Sequence, residues 1–160
     1  MSNKHAGERL FRFNPFNIKN WTDEEVIEQF GLLEESLPDG DTPQELATSI
    51  DVYANMGYLI GEMYARYHES VSIADNELKI GIANAIYRER NNWKDFSKEK
   101  PPAMSYFEAK AESQYREEYR ELARKESMFK RLKFAYESIQ DKQNALKKRL
   151  DAIKYDVFNQ

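Results

Sequence analysis

The chain has 160 residues, of which 32% are charged and 11 (6 + 5) are Gly or Pro. This composition favours one helical domain with few loops over a loop-rich or disordered protein. The absence of cysteine excludes disulfides and thiolate metal sites, so we expect a reducing cytoplasm. Since no run approaches about 18 apolar residues, we expect no membrane span. The first residues also lack the apolar core of a signal peptide.

The net charge of -4 is unevenly distributed along the chain. Residues 1–104 contain 11 Lys/Arg and 18 Asp/Glu, a balance of -7. Residues 105–160 contain 13 and 10, a balance of +3, and residues 120–149 reach +6 with 10 and 4. An acidic front and a basic back favour self-assembly through charge complementarity, and they also allow the basic part to meet a polyanion.

The first predicted element is an irregular, aromatic segment over residues 1–21. Its large apolar residues include Phe11, Phe13, Phe16, Ile18 and Trp21. Because disordered tails rarely carry this many aromatic residues, we expect the segment to lie against the body of the protein or a neighbouring subunit.

Capping boxes mark the next two predicted helices. In residues 22–25, Thr-Asp-Glu-Glu, the Thr22 hydroxyl can accept from the third helical NH while Glu25 reaches back. A helix of about three turns should follow and end before the turn at residues 37–40. Residues 42–45, Thr-Pro-Gln-Glu, repeat the box with Pro at the first helical position, where its missing NH is tolerated. This second helix is predicted to run to about Asn91.

The second helix carries two rows of residues at seven-residue spacing. One row is Leu46, Tyr53, Ile60, Tyr67, Ala74 and Gly81. The other row is Ile50, Gly57, Tyr64, Val71, Leu78 and Ala85. Met56, Leu59, Met63, Ile82 and Ile86 widen the apolar stripe beyond a two-stranded seam. Gly57, Gly61 and Gly81 each weaken the helix by up to about 1 kcal/mol relative to Ala, so we expect them to permit close approach by another helix, or a bend.

A third capping box is predicted at residues 105–108, Ser-Tyr-Phe-Glu, and its helix should run to about Tyr155. The charged Glu118 and Lys125 in its core rows predict that the first turns diverge from a simple seam. We therefore predict an all-α fold: an N-terminal region over 1–41, with an extended segment and a short helix, followed by an elongated, antiparallel, coiled-coil-like hairpin of two long helices over 42–160. We expect the hairpin to form a homo-oligomer, since a free hairpin would expose its wide apolar stripes.

The sequence lacks the motifs of an active site. His5 and His68 have no further metal ligands at suitable spacing, and the carboxylates lie in mixed-charge helix faces. No glycine-rich phosphate loop or nucleophile elbow is present. We expect no enzymatic activity, no metal and no cofactor.

The stretch 87–102 between the long helices combines cations with aromatic residues. The candidate nucleic-acid-binding residues are Lys79, Tyr87, Arg88, Arg90, Trp93, Lys94, Lys98 and Lys100, with Phe96 among them. Single-stranded DNA is bound by cations along its phosphates and by aromatic faces that stack on its bases. The alternative is that Trp93 and Phe96 close the end of the hairpin and the charges are solvated.

A second basic cluster lies on the last helix. Its members are Lys130, Arg131, Lys133, Lys147, Lys148 and Arg149. The cluster is a second candidate for polyanion binding, and the alternative is charge pairing with an acidic helix.

The order of features over residues 70–157 resembles the UvsY-type recombination mediators of tailed phages. The residues that carry the resemblance are the segment 76–93, the helix restart at residues 104–107 (Met-Ser-Tyr-Phe) and the Ala-Ile-Lys ending at residues 152–154. The resemblance implies a ring-like, non-enzymatic homo-oligomer that binds single-stranded DNA and loads a recombinase onto strands covered by a single-strand binding protein. It also implies DNA contacts at Arg88 and Arg90, with Lys79 beside them.

Two functional hypotheses follow. The first is a phage-type recombination accessory protein that binds single-stranded DNA and assists recombinase loading. The second is an oligomeric helical protein-interaction module without nucleic-acid binding, such as a virion or scaffold component or an inhibitor of a host protein. The acidic front, the aromatic N-terminal segment and the ten tyrosines favour the second.

Overall fold

The computed structural model describes residues 15–96 and 100–158, and the side chains of residues 18–94 and 100–156. A short 3-10 helix, Pro15–Asn20, precedes four α-helices: α1 (Asp23–Glu35), α2 (Pro43–Phe96), α3 (Met104–Gln114) and α4 (Arg116–Phe158). These residues include no strand, which confirms the all-α prediction. They form two compact units, one built from residues up to Arg66 together with those from Lys130 onward, and the other from Tyr67–Phe129.

Both of the first two capping boxes are confirmed. The backbone N of Thr22 donates to Glu25 Oε2 at 2.7 Å, and the backbone N of Glu25 donates to Thr22 Oγ1 at 3.2 Å. Thr42 and Glu45 make the same two bonds at 3.0 and 3.3 Å, and the hydrogen bonds from Thr42 hold the pKa of the Glu45 carboxyl below its ordinary value. α1 ends before the predicted turn, whereas α2 extends past the predicted end at Asn91.

The prediction of a third capping box is wrong. α3 begins at Met104 after an extended Ala103 (φ -58°, ψ 153°), and no side chain caps it. Ser105 lies inside the first turn and cannot act as the cap. In this register Phe107 is only 3% exposed and its ring contacts Trp93. Burial of a Phe side chain is worth about 1.5–3 kcal/mol, which outweighs the roughly 1 kcal/mol of a capping bond.

The prediction of a single last helix is also wrong, because the helix is interrupted at Tyr115 (φ -109°, ψ 27°) and a new helix begins at Arg116. The Tyr115 ring occupies the space beside Gly81 of α2, where an added Cβ would lie 2.7 Å from Tyr115 Cε1. Glu118 and Lys125 line a groove next to Tyr115 instead of filling a seam. Their place along a groove agrees with the expected departure of the first turns from a simple seam.

In the first unit α2 packs against α4 in antiparallel order. A Cβ at Gly57 would lie 3.7 Å from Ile139, and one at Gly61 would lie 3.4 Å from Tyr136. The Tyr136 ring also stacks on Tyr64, with centroids 6.3 Å apart. These are ordinary van der Waals distances, so an Ala side chain would fit at Gly57 and at Gly61. The predicted close approach is confirmed only at Gly81, beside Tyr115.

A second face of α2 in the first unit is buried as well. Its members are Leu46, Ser49, Val52, Met56, Leu59 and Met63. At roughly 100° per residue this row lies about a third of a turn from the face that meets α4. Val26 and Leu33 of α1 are 0% and 2% exposed, so we infer that α1 covers the row. This second contact explains the widened apolar stripe.

Arg66 fastens the N-terminal elements to α2. Its Nη1 donates to the carbonyl oxygen of Trp21 at 2.6 Å, its Nη2 to that of Ile18 at 2.5 Å, and its Nε to Glu62 Oε1 at 3.2 Å. Ile18 is 3% exposed, so the end of the aromatic segment lies against the body of the protein as predicted. Phe11, Phe13 and the side chain of Phe16 lie outside the described residues.

The second unit consists of α2 against α3 and the beginning of α4, again in antiparallel order. Its buried residues include Leu78, Ala85, Phe107 and Ala111. None of the described helices is long and apolar enough to cross a membrane.

We predict that Arg66→Lys lowers the free energy of unfolding by about 2 kcal/mol, since one ammonium cannot reproduce the forked bonds to two carbonyl oxygens. Urea unfolding followed by circular dichroism measures the change. Arg90→Lys, at an exposed position of the same helix, is the control. Equal stability of the two variants would contradict the role assigned to Arg66.

We predict that Gly81→Ala lowers stability by about 1 kcal/mol, because its Cβ displaces the Tyr115 ring. Gly31→Ala is the matched control, since no atom lies within 4 Å of its added Cβ and Ala should stabilise α1 by up to about 1 kcal/mol. Thermal unfolding compares the two. A Gly81→Ala protein as stable as Gly31→Ala would refute the packing argument.

Candidate nucleic-acid interface

The last turns of α2 bring three of the predicted site residues onto one exposed face. Tyr87, Arg90 and Lys94 lie within about 60° of one another around the helix. The Tyr87 side chain is 71% exposed, and both cations are exposed. Arg88 is exposed as well but lies about 100° from Tyr87. The face thus presents an open aromatic ring followed by two positive charges.

Glu89, which interrupts the cations in the sequence, is turned toward α3. Its Oε2 lies 2.6 Å from Lys110 Nζ, and its Oε1 accepts from Gln114 Nε2 at 3.1 Å. The hydrogen bond from Lys110 holds the pKa of the Glu89 carboxyl below its ordinary value, and the same bond raises the pKa of Lys110. The carboxylate is therefore compensated inside the unit and does not neutralise the exposed face.

Trp93 packs inside the second unit. Its ring lies 6.4 Å from that of Phe107 and 6.5 Å from that of Tyr106, in edge-to-face geometry. Its Nε1 is buried and has no hydrogen-bond partner among the described residues. These ring contacts match the interpretation in which Trp93 closes the end of the hairpin. The side chain of Phe96 and all of Lys98 lie outside the described residues.

The remaining predicted residues stand apart from this face. Lys79 is exposed and forms a 2.6 Å pair with Asp75, and such exposed pairs contribute at most about 1 kcal/mol. It lies roughly 80° around the helix from Tyr87. Lys100 is exposed in the connection between α2 and α3.

The second basic cluster, on α4 in the first unit, is exposed and partly paired. Arg149 lies 2.6 Å from Asp41, and Lys133 lies 3.9 Å from Glu137. These contacts fit charge pairing within the unit. Lys130, Arg131, Lys147 and Lys148 are also exposed.

The described residues contain no group of three or more His, Asp or Glu side chains that could hold a metal ion. The His68 ring lies 5.3 Å from that of Phe129 in a tilted aromatic contact. This contact gives His68 a packing role.

Two features of the site were missed in the sequence. Lys110 was not singled out, although in an antiparallel hairpin it falls opposite Glu89. Ile73 and Ile80, 51% and 62% exposed, lie two heptads and one heptad before Tyr87 on the same row. Extension of that row along α2 would have found both.

No protein-family model matches the chain, and comparisons with curated proteins and with solved structures give no match.

The pair of Glu89 and Lys110 predicts a pH-dependent contribution to stability. Because the pKa of folded Glu89 lies below 4.5, its ordinary value, the stabilisation is fully present above that pH and is lost as the pH falls through the lowered value. A double-mutant cycle of Glu89→Gln and Lys110→Met should show coupling at pH 7 that disappears in strong acid. Coupling that is equal in both conditions, measured by urea unfolding, would refute the assignment.

Proposed function

We propose that the protein is a non-enzymatic, phage-type recombination accessory protein that binds single-stranded DNA and assists the loading of a recombinase. The observation that carries this proposal is the exposed face of Tyr87, Arg90 and Lys94, from which the carboxylate of Glu89 is withdrawn. The resemblance to UvsY-type mediators supports the same segment, through Arg88 and Arg90.

The chemistry of the face suits a flexible polyanion. Arg90 and Lys94 lie one and two turns after Tyr87, so the three side chains extend over about 10 Å along α2. The cations can follow successive phosphates while the phenol ring stacks on a base, a contact worth about 1–3 kcal/mol. One such face offers few contacts, so we expect weak binding that depends strongly on salt.

A protein-interaction module is the second candidate, favoured by large apolar side chains that are open to solvent. Tyr58, Ile73, Ile80 and Phe134 are 61%, 51%, 62% and 70% exposed. Pull-down experiments that recover a protein partner stably without nucleic acid would favour this function over the first.

Titration of the full chain with a fluorescent oligothymidylate, at several salt concentrations, tests the proposal. We expect binding that weakens with salt, with a log–log slope of about 0.7 per neutralised phosphate. Arg90→Ala/Lys94→Ala should reduce that slope by roughly 1.4, and Tyr87→Ala should weaken binding by about 1–3 kcal/mol with little change in slope.

Arg116→Ala/Arg124→Ala, which removes two exposed cations of α4 outside both candidate clusters, is the matched control and should leave the slope unchanged. Wild-type protein that does not bind, or a double variant at 90 and 94 that retains the full slope, would overturn the proposed function.

A further inference from the structure

One heptad row of α2 passes from buried to exposed along the helix. Its members are Val52, Leu59, Arg66, Ile73, Ile80, Tyr87 and Lys94. Val52 and Leu59 are 8% and 0% exposed, and Arg66 binds the end of the 3-10 helix. Beyond Arg66 the apolar members emerge, and exposure rises from 51% at Ile73 to 71% at Tyr87.

The neighbouring row completes a two-row seam in the second unit. Its members are Glu69, Asn76, Ala83 and Arg90, and all four are exposed. Ile73, Ile80 and Tyr87 occupy the alternate positions, as core residues do in a coiled coil. The seam therefore begins with an acid, is apolar in its middle apart from Asn76, and ends with cations. Among the described residues nothing buries it.

We infer that a second copy of this chain covers the seam, with the two α2 helices antiparallel about a two-fold axis between residues 81 and 82. In this register Ile80 faces Ala83 of the other copy and Asn76 faces Tyr87. The outermost layer pairs Glu69 with Lys94. A closed two-fold pairing uses the same surface on both copies. The seam must therefore be complementary to the same seam running in the opposite direction.

Charge complementarity favours an antiparallel second copy of the chain as the partner that covers the seam. Residues 67–80 contain three acidic residues and one lysine, a balance of -2, whereas residues 81–94 contain three basic residues and one glutamate, a balance of +2. Antiparallel pairing sets each half against its opposite, while parallel pairing sets like charges together.

The dimer would also regulate the nucleic-acid face, a consequence that rests on the proposed function. The seam contains Tyr87, Arg90 and Lys94, so a second copy covers the side chains that would meet DNA. Single-stranded DNA and the second copy therefore compete for one face. Free chains pair with each other, and a strand that binds separates them.

Sedimentation velocity of the full chain at low salt, without DNA, tests the pairing. We expect a concentration-dependent dimer that Ile80→Asp weakens by at least about tenfold. Phe134→Asp, a matched exposed apolar position on α4, should leave it unchanged. Glu69→Lys and Lys94→Glu should each weaken the dimer, and the double variant should restore it. A monomer at all concentrations, or a dimer insensitive to Ile80→Asp, overturns the inference.

Cysteine cross-linking tests the direction of the helices, because the chain has no native cysteine. A mixture of Asn76→Cys and Tyr87→Cys proteins should form disulfide-linked heterodimers far more readily than either protein alone forms homodimers. Preferential homodimers would indicate parallel helices and overturn the antiparallel pairing.

Addition of oligothymidylate to the wild-type dimer then separates the two proposals. Dissociation into DNA-bound monomers supports both the pairing and the competition. A dimer that binds DNA without dissociation overturns the competition. A dimer that forms as expected but does not bind DNA overturns the proposed function and leaves the pairing intact.

Discussion

The hydrogen bonds of the Arg66 guanidinium attach the N-terminal elements of the first unit to α2. Arg66 lies in a heptad row whose earlier members are buried, where a charge would be costly without partners. The carboxylates of Glu62 and Asp23 supply ionic partners at 3.2 and 3.4 Å. The carbonyl oxygens of Ile18 and Trp21, just before α1 begins, accept further hydrogen bonds from the guanidinium. The same bonds satisfy backbone groups at the end of the 3-10 helix. Arg66 thereby fixes where the N-terminal elements meet α2 and where the covered part of the row ends.

Local signals predicted much of the fold, and tertiary contacts account for the failures. The boxes at Thr22 and Thr42 were predictable because their bonds involve only four consecutive residues. The box at Ser105 has the same pattern, but burial of Phe107 beside Trp93 shifts the helix start. The helix is interrupted at Tyr115, whose ring lies beside Gly81, a residue distant in the chain. No local pattern contains that information.

The residue types of the candidate site were evident in the sequence, but the sequence did not show which side chains are exposed and which pack against the opposing helix. The predicted helix ends at about Asn91, so its helical phase covers Tyr87 and Arg90 but not Trp93 and Lys94. Since α2 continues to Phe96, Glu89 and Trp93 lie one turn apart and face the opposing helix. Tyr87, Arg90 and Lys94 are spaced i, i+3 and i+7, so they share one exposed face of the helix. Extending the helix past Asn91 would have separated the packing residues from the exposed ones before any coordinates were known.

The two tryptophans divide evenly between the compact units, with Trp21 in the first and Trp93 in the second. Each indole therefore acts as an intrinsic optical probe of its own unit. Trp21 is held through its main-chain oxygen, which a phenylalanine would retain, so its indole can be removed without loss of the bond to Arg66. Emission from single-tryptophan proteins would then distinguish concerted melting of the two units from stepwise melting. The two native tryptophans can therefore report whether the two units unfold cooperatively.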